Sequence, residues 1–299
     1  MVKVFIDGSS GTTGLRIHDR LQARDDIELI RLPDSLRKDA ASRKEAMDKA
    51  DIAFLCLPDQ AAIEAADMAG DTVIIDTSTA HRTSDAWAYG FPELKGYREK
   101  IAKSTRIANP GCHASGFIAL VAPLVEAGVV KKNDRLTCTS LTGYSGGGKK
   151  MIEQYQGCDD VYLRAPRMYG LTQKHKHIPE MMKVCGLEEQ PAFCPIVAPY
   201  YSGMEVTVPI FDPDADVAEI YGKYYEDGMV RFGMKDEEGF LTAISMSGKD
   251  TMEIGVYGNG KNVLLVARFD NLGKGASGAA IQNMNIVMGV DETLGLIKE

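Results

Sequence analysis

The first fourteen residues constrain the fold most. Val2-Lys3-Val4-Phe5-Ile6 is a β-branched run broken by Asp7-Gly8-Ser9-Ser10-Gly11-Thr12-Thr13-Gly14, after which Leu15, Ile17 and Leu21 recur at helical spacing. Strand, glycine turn and helix in that order let backbone amides approach a pyrophosphate closely while the positive helix N-terminus faces its charge. Gly8, Ser9, Ser10, Gly11, Thr12, Thr13 and Gly14 are therefore candidate dinucleotide-binding residues. Their spacing is GxxGxxG rather than GxGxxG, with Ser9 at the first glycine position, which supports the cofactor class and leaves the pose open. A plain tight turn is the alternative.

The pattern then repeats. Residues 27–32 read as a second strand, ending in Arg31 and followed by Ser35, Arg37 and Lys38. An acidic side chain at this place holds the ribose hydroxyls of NAD, whereas basic ones meet a 2′-phosphate, so the expected cofactor is NADPH; a solvated basic loop is the bland alternative. Residues 52–57 form a continuous apolar run, 61–69 an alanine-rich helix and 72–76 another buried strand. This βαβα alternation predicts a parallel sheet wrapped by helices on both faces, with ligands at the carboxyl ends of its strands. At one such end, Thr77-Ser78-Thr79-Ala80-His81-Arg82 offers Ser78 and Arg82 to a bound phosphate, unless Arg82 is a solvent-exposed loop arginine. Residues 87–93 read as an ordered loop.

Asn109-Pro110-Gly111-Cys112-His113 turns sharply, because Pro110 cannot continue a ladder and Gly111 tolerates unusual angles; Phe117, Leu120, Val121 and Leu124 then mark a helix. Amides at a helix start favour thiolate over thiol, which makes Cys112 a candidate nucleophile and the neighbouring Asn109 a candidate substrate contact. The alternative is a small buried cysteine. Residues 136–142 alternate and are rich in threonine, as suits a strand. The glycine-rich 143–150 segment, with Ser145, is expected to be a mobile loop facing phosphate or substrate, although it lacks Walker spacing. Lys174-His175-Lys176-His177-Ile178-Pro179-Glu180 holds two of the five histidines; His175 is a candidate proton shuttle, with metal ligation or a structural role as alternatives. Strands at 204–210, 251–257 and 262–268, with a helix near 216–225, predict a second, largely antiparallel sheet. A small-residue helix follows residue 270.

Length and composition narrow the class. A chain of 299 residues suggests about two domains. A net charge of −8 without a basic tract argues against a general nucleic-acid binder. No secretory leader or membrane-spanning run stands out, and the expected location is the cytoplasm. Six cysteines (56, 112, 138, 158, 185 and 194) lack CxxC spacing and read as free thiols, and no metal is expected.

GSSGTTG at 8–14, NPGCHASG at 109–116, HKHIPE at 175–180 and NLGKGASGAAIQNMN at 271–285 together resemble the N-acetyl-γ-glutamyl-phosphate reductase family in its shorter form. Aspartate-semialdehyde dehydrogenase and phosphorylating glyceraldehyde-phosphate dehydrogenase are wider relatives. The resemblance implies an α/β protein: a Rossmann dinucleotide-binding domain (1–111 plus 274–299) with an inserted α/β domain for substrate, catalysis and oligomerisation (112–273), assembled as a homodimer or homotetramer. It also implies NADPH-dependent reduction of a small acyl phosphate, N-acetyl-γ-glutamyl phosphate, to the semialdehyde through a cysteine thioester in arginine biosynthesis. Cys112 then matches the nucleophile, His175 the acid/base, Glu180 a partner orienting the histidines, Arg82 a phosphate ligand, and Asn283 a residue approaching the nicotinamide. Longer members often carry an arginine where Ser202 stands, so substrate carboxylate recognition falls to Arg164 or Arg167. Two other readings stay open: a reductase of aspartyl or N-acetylated aminoadipyl phosphate, and an NADPH-binding redox regulator oxidised at Cys112.

Overall fold

Side chains of the first strand that alternate between two covered faces set the architecture of the N-terminal part. The computed structural model describes residues 1–299 except Ser10, Cys158 and Asp227, so the cofactor role expected of Ser10 and the free thiol expected of Cys158 lie outside the described residues. The chain separates into two units, Met1–Pro110 with Ala276–Leu296, and Gly111–Gly275 with Ile297–Glu299.

The first unit holds a parallel sheet of β1 (Val2–Asp7), β2 (Ile27–Ile30), β3 (Ile52–Leu55), β4 (Val73–Asp76), β5 (Ala88–Tyr89) and β6 (Arg106–Ala108), in the order β2-β1-β3-β4-β6-β5. Its helices are α1 (Thr12–Gln22), α2 (Ala40–Lys49), α3 (Asp59–Met68) and α4 (Tyr97–Lys103). Val4 and Ile6 of β1 join a cluster with Ile17 and Leu21 of α1 and Ile281 and Met284 of the C-terminal helix. Phe5, one residue out of phase, joins Met47 of α2 and Ala62 and Ala65 of α3 instead. Period-two alternation between two covered faces is what a doubly wound sheet requires. Two local expectations shift. The second strand stops at Ile30, just before Pro33, which has no N–H for a ladder, and the expected loop at 87–93 contains the edge strand β5 paired with β6.

The second unit contains α5 (Cys112–Glu126), β7 (Thr137–Gly143), α6 (Gly148–Gly157), β8 (Arg167–Met168), α7 (Ile178–Cys185), β9 (Ala192–Ala198), β10 (Met204–Phe211), α8 (Val217–Tyr224), β11 (Val230–Phe232), β12 (Met252–Gly258) and β13 (Asn262–Phe269). Its mixed sheet runs β11-β12-β13-β10-β7-β9-β8, with parallel pairs only at β11-β12 and β7-β9 among the described residues. After β13 a π-helical turn, Gly273–Ser277, leads to α9 (Gly278–Met288) of the first unit. The loop expected at 143–150 takes the form of a 3-10 turn, Tyr144–Gly147, followed by α6. Its backbone is already satisfied, since the amides of Tyr144 and Ser145 donate to the carbonyls of Tyr200 and Tyr201, and the Tyr144 ring stacks on Tyr155 at 4.6 Å. Among the described residues no helix is long and apolar enough to cross a membrane.

Helix α5 packs on β10 and β13 and is buried almost throughout its length. Gly116 makes that approach possible: a Cβ there would lie 2.5 Å from Val206 and 2.9 Å from Phe269. Alanine would gain about 1 kcal/mol in helix propensity and lose about 1–3 kcal/mol to overpacking. Urea denaturation should therefore find Gly116→Ala less stable than the parent, by up to about 2 kcal/mol; equal or greater stability would mean that Val206 and Phe269 move aside freely.

Candidate active site

Gly111, at φ −81° and ψ 145°, caps α5, so Cys112 is the first helical residue. The amides of that first turn have no intrahelical acceptor and carry partial positive charge. The Gly111 N–H itself donates to Glu180 Oε1 at 2.8 Å, and the carboxylate is only 1% exposed in the first turn of α7. Glu180 thus braces the turn that presents the thiol. Gly275 passes so close that a Cβ would come within 2.9 Å of the Cys112 Cβ.

A cluster of rings adjoins this turn. His113, 3% exposed, has Nδ1 2.7 Å from Ser140 Oγ and Nε2 2.6 Å from the Tyr169 hydroxyl. Burial, with a smaller push from His175, drops the His113 pKa to about 3, so the ring is neutral at pH 7 and donates to one hydroxyl while accepting from the other. Burial raises the Tyr169 pKa, and charge on Cys112 raises it further, which keeps Tyr169 a phenol able to donate. The half-buried His175 ring lies 5.7 Å from His113, 5.8 Å from Tyr169 and 4.8 Å from His177. Its Nδ1 accepts the His177 amide at 3.2 Å, which assigns the proton of the neutral ring to Nε2. Burial first, and the Lys176 charge second, lower its pKa. Sequence reasoning missed Ser140, His113 and Tyr169. His113 stands inside the NPGCH motif, but Tyr169 belongs to no motif and enters only through folding.

In the first unit the glycine turn is sterically committed. Gly8 has φ +88°, and a Cβ on it would collide with the Cys56 carbonyl; one on Gly14 would lie 2.5 Å from the Gly8 carbonyl oxygen. Gly11, Thr12, Thr13 and Gly14 open α1, whose first turn carries no acidic side chain to repel an anion. Beside the turn lies a cavity of about 740 Å³ lined by Gly8, Ser9, Arg31, Ser35, Arg37 and Arg43, among others. These residues fit a dinucleotide.

At the end of β4, the fully buried Asp76 accepts from the Ser78 amide and hydroxyl at 2.9 and 2.7 Å, and its Oδ2 lies 2.7 Å from His81 Nδ1. Arg82 is 8% exposed and donates to the carbonyls of Asn109 and Thr77, both at 2.9 Å, so it is no solvated loop arginine. Asn109 donates to the Ala276 carbonyl at 3.1 Å and accepts from Asn283 Nδ2 at 3.1 Å; Asn283 also donates to the Gly90 carbonyl at 2.9 Å. Asn283 Oδ1 is buried without a hydrogen-bond partner among the described residues, an acceptor suited to an amide donor from a ligand. The Asn109 amide donates to the Asp76 carbonyl at 2.7 Å, which links Ser78, Arg82, Asn109 and Asn283 in one network.

The remaining candidates bond elsewhere. Ser145 is 1% exposed and accepts from Asn271 at 3.0 Å. Arg164 pairs with the exposed Asp159 at 3.0 Å, its own side chain 69% exposed. Arg167 donates to the Tyr155 hydroxyl at 2.9 Å and lies over its ring. Ser202 is tied inward to Ser247 and Asp270. Among the described residues no group of three or more His, Cys, Asp or Glu side chains could hold a metal ion.

Comparison with known proteins follows the same division. Residues 3–104 match the semialdehyde dehydrogenase NAD-binding domain, and residues 112–271 the semialdehyde dehydrogenase dimerisation domain. The chain is 43% identical to N-acetyl-gamma-glutamyl-phosphate reductase 2 of Nostoc sp., covering 98% of this chain and 99% of that one. It is 45% identical to N-acetyl-gamma-glutamyl-phosphate reductase of Sinorhizobium medicae, covering 96% and 98%. Aspartate semialdehyde dehydrogenase II of Vibrio cholerae, complexed with ASA, shares the fold at a TM-score of 0.73 and 17% identity, covering 97% and 98%. Aspartate semialdehyde dehydrogenase of Candida albicans with NADP does so at 0.70 and 15%, covering 96% and 98%. With a glycine-turn cofactor unit and a helix-borne thiol beside a histidine cluster, the chain belongs to the N-acetyl-γ-glutamyl-phosphate reductases, oxidoreductases of the semialdehyde dehydrogenase family.

Proposed function

We propose that this protein reduces N-acetyl-γ-glutamyl phosphate to N-acetylglutamate semialdehyde and phosphate, using NADPH and a thioester on Cys112, as a step of arginine biosynthesis. The observation that carries this is Cys112 at the first position of a buried helix beside neutral His113 and His175, in a chain so similar to reductases of that name.

The Cys112 thiolate attacks the acyl carbon, the bond from that carbon to the phosphate oxygen breaks, and phosphate leaves a thioester behind. Carbonyl oxygen charge in this step faces the amides at the start of α5, and the Tyr169 phenol is a further donor within the cluster. When bound, the nicotinamide supplies the hydride that reduces the thioester. In its protonated form His175 gives a proton to the alkoxide that results, and in the opposite direction the neutral ring accepts it; the thiohemiacetal then passes its hydroxyl proton to solvent as it collapses, which frees the aldehyde and restores the thiolate. Glu180 holds the turn, and Arg82 with Asn109 receives the phosphate end of the substrate. For the substrate carboxylate, Arg167 has better support than Arg164: it stands two residues before Tyr169 in an extended segment, where alternate residues share a face, whereas Arg164 is spread on the surface. Ser145, bonded to Asn271, would act through the backbone around it rather than by direct contact.

The first unit is the cofactor domain in this scheme. Backbone amides of 8–14 take the pyrophosphate, the cavity lining of basic Arg31 and Arg37 with the Ser35 hydroxyl favours NADPH, Ser78 closes the strand end, and Asn283 Oδ1 accepts from the carboxamide. The second unit is the substrate and dimerisation domain of a cytoplasmic homodimer or homotetramer.

Three measurements follow in the reverse direction, from NADP⁺, phosphate and N-acetylglutamate semialdehyde. The parent should form NADPH only with phosphate present, and Cys112→Ser should fall to background; near-parental turnover by that variant, or use of aspartate semialdehyde instead, would overturn the assignment. Arg82→Ala should raise the phosphate KM roughly tenfold or more, the worth of a charge-assisted hydrogen bond; an unchanged KM removes Arg82 from the site. In this direction neutral His175 accepts the proton, and its pKa lies below the ordinary 6.5, so the acid limb of kcat/KM should fall below pH 6.5. Lys176→Met removes one cause of that depression, and the limb should move up; a downward move would exclude His175 as the base.

A further inference from the structure

Of the basic side chains lining the cavity beside the glycine turn, Arg43 is the one the fold holds still. It stands on α2, and its Nε and Nη2 both donate to Asp7 Oδ2, at 2.9 and 2.7 Å. The two side chains are 13% and 5% exposed. Asp7 closes β1 immediately before Gly8, so a carboxylate stands at the foot of the turn where a dinucleotide brings phosphate. Left alone it would repel that charge. Burial raises the Asp7 pKa, while the Arg43 hydrogen bond and charge oppose the rise. The ion pair makes the cavity floor neutral overall, yet Arg43 Nη1 keeps its donors, with no hydrogen-bond partner among the described residues.

The other cations in the cavity are less committed to it. Arg31 gives Nη2 to Gln22 at 3.1 Å. Arg37 pairs with Asp34 across side chains 46% and 87% exposed, and Lys38 is exposed. Charges on such side chains are screened by water, and each must lose rotamer freedom to fix a ligand. A guanidinium already pinned on one edge gives up less, and its free edge keeps the planar fork that suits phosphate oxygens.

We propose that Arg43, aimed by Asp7, takes the 2′-phosphate of NADPH and sets the preference over NADH. Arg43 is then a specificity-determining residue and Asp7 its positioning residue. This rests on the NADPH reading above and names the group that enforces it.

The test is calorimetric binding to the full chain of four probes: 2′,5′-ADP, 5′-ADP, NADPH and NADH. In the parent, the 2′-phosphorylated member of each pair should bind more tightly. Arg43→Gln should weaken 2′,5′-ADP and NADPH by roughly ten- to a hundredfold, the equivalent of a lost charge-assisted hydrogen bond, while 5′-ADP and NADH change much less. Arg43→Lys, with the charge but not the fork, should fall between, and Arg37→Gln should lose less. Asp7→Asn should shrink the NADPH-over-NADH ratio in the same direction; a ratio kept or enlarged removes Asp7 from the role. Because Arg43→Gln strands a buried carboxylate, the double variant Asp7→Asn/Arg43→Gln serves if the single one unfolds, and should show the same lost discrimination. Equal weakening of both members of each pair, or none, overturns the inference while the NADPH reading stands. A parent that does not distinguish 2′,5′-ADP from 5′-ADP overturns both.

Discussion

One hydrogen bond from a peptide N–H to a buried carboxylate organises the thiol. The Gly111 amide precedes α5 and would otherwise be an unpaired donor in a dry place; Glu180 satisfies it and so fixes the direction from which the chain enters the helix. Everything attributed to Cys112 depends on that direction, because the amides of the first turn act on an acyl oxygen only if the sulfur reaches the carbon beside them. The Glu180 side chain itself sits in the first turn of α7. Glu180 thus connects the starts of two helices, α7 and α5.

The same economy recurs with other buried polar groups. Asp76 gathers Ser78 and His81, and Asp270 gathers Ser202 with the amides of Gly248, Leu272 and Gly273. Asn109 and Asn283 hold one another through their amides. Each group would cost free energy if left unmatched, so each dictates the conformation of the loop that satisfies it. His113 is the instructive case. Burial keeps it uncharged, and an uncharged imidazole can join Ser140 and Tyr169 only in a fixed donor and acceptor order. Rigidity near the thiol therefore comes from desolvation as much as from packing.

Much of the frame was legible in the chain. The glycine turn, the alternation of strand and helix, the turn at Cys112 and the HKHIPE segment all register short-range constraints: positive φ at Gly8, close approach at Gly14, a helix start after Pro110-Gly111. What the folded chain changed was equally local in origin. Residues 143–150 look like a loop because glycine weakens any propensity, and they became a 3-10 turn and a helix because the Tyr200 and Tyr201 carbonyls and the Tyr155 ring were there to meet them. Arginines 164 and 167 stood as equal candidates, and only their contacts separate them: Arg164 pairs with the exposed Asp159, whereas Arg167 bonds the Tyr155 hydroxyl.

The sequence by itself determined the order of elements, the place of the cofactor turn and the helix that carries the thiol, because periodicity and backbone sterics are written in neighbouring residues. Only the tertiary structure decided that Glu180 meets Gly111 across 69 positions, that Tyr169 meets His113 across 56, and that Arg43 meets Asp7 across 36. Such partners are chosen by strand register and helix packing. A side chain that bonds far along the chain leaves no local trace of its destination, since either partner alone reads as an ordinary polar residue.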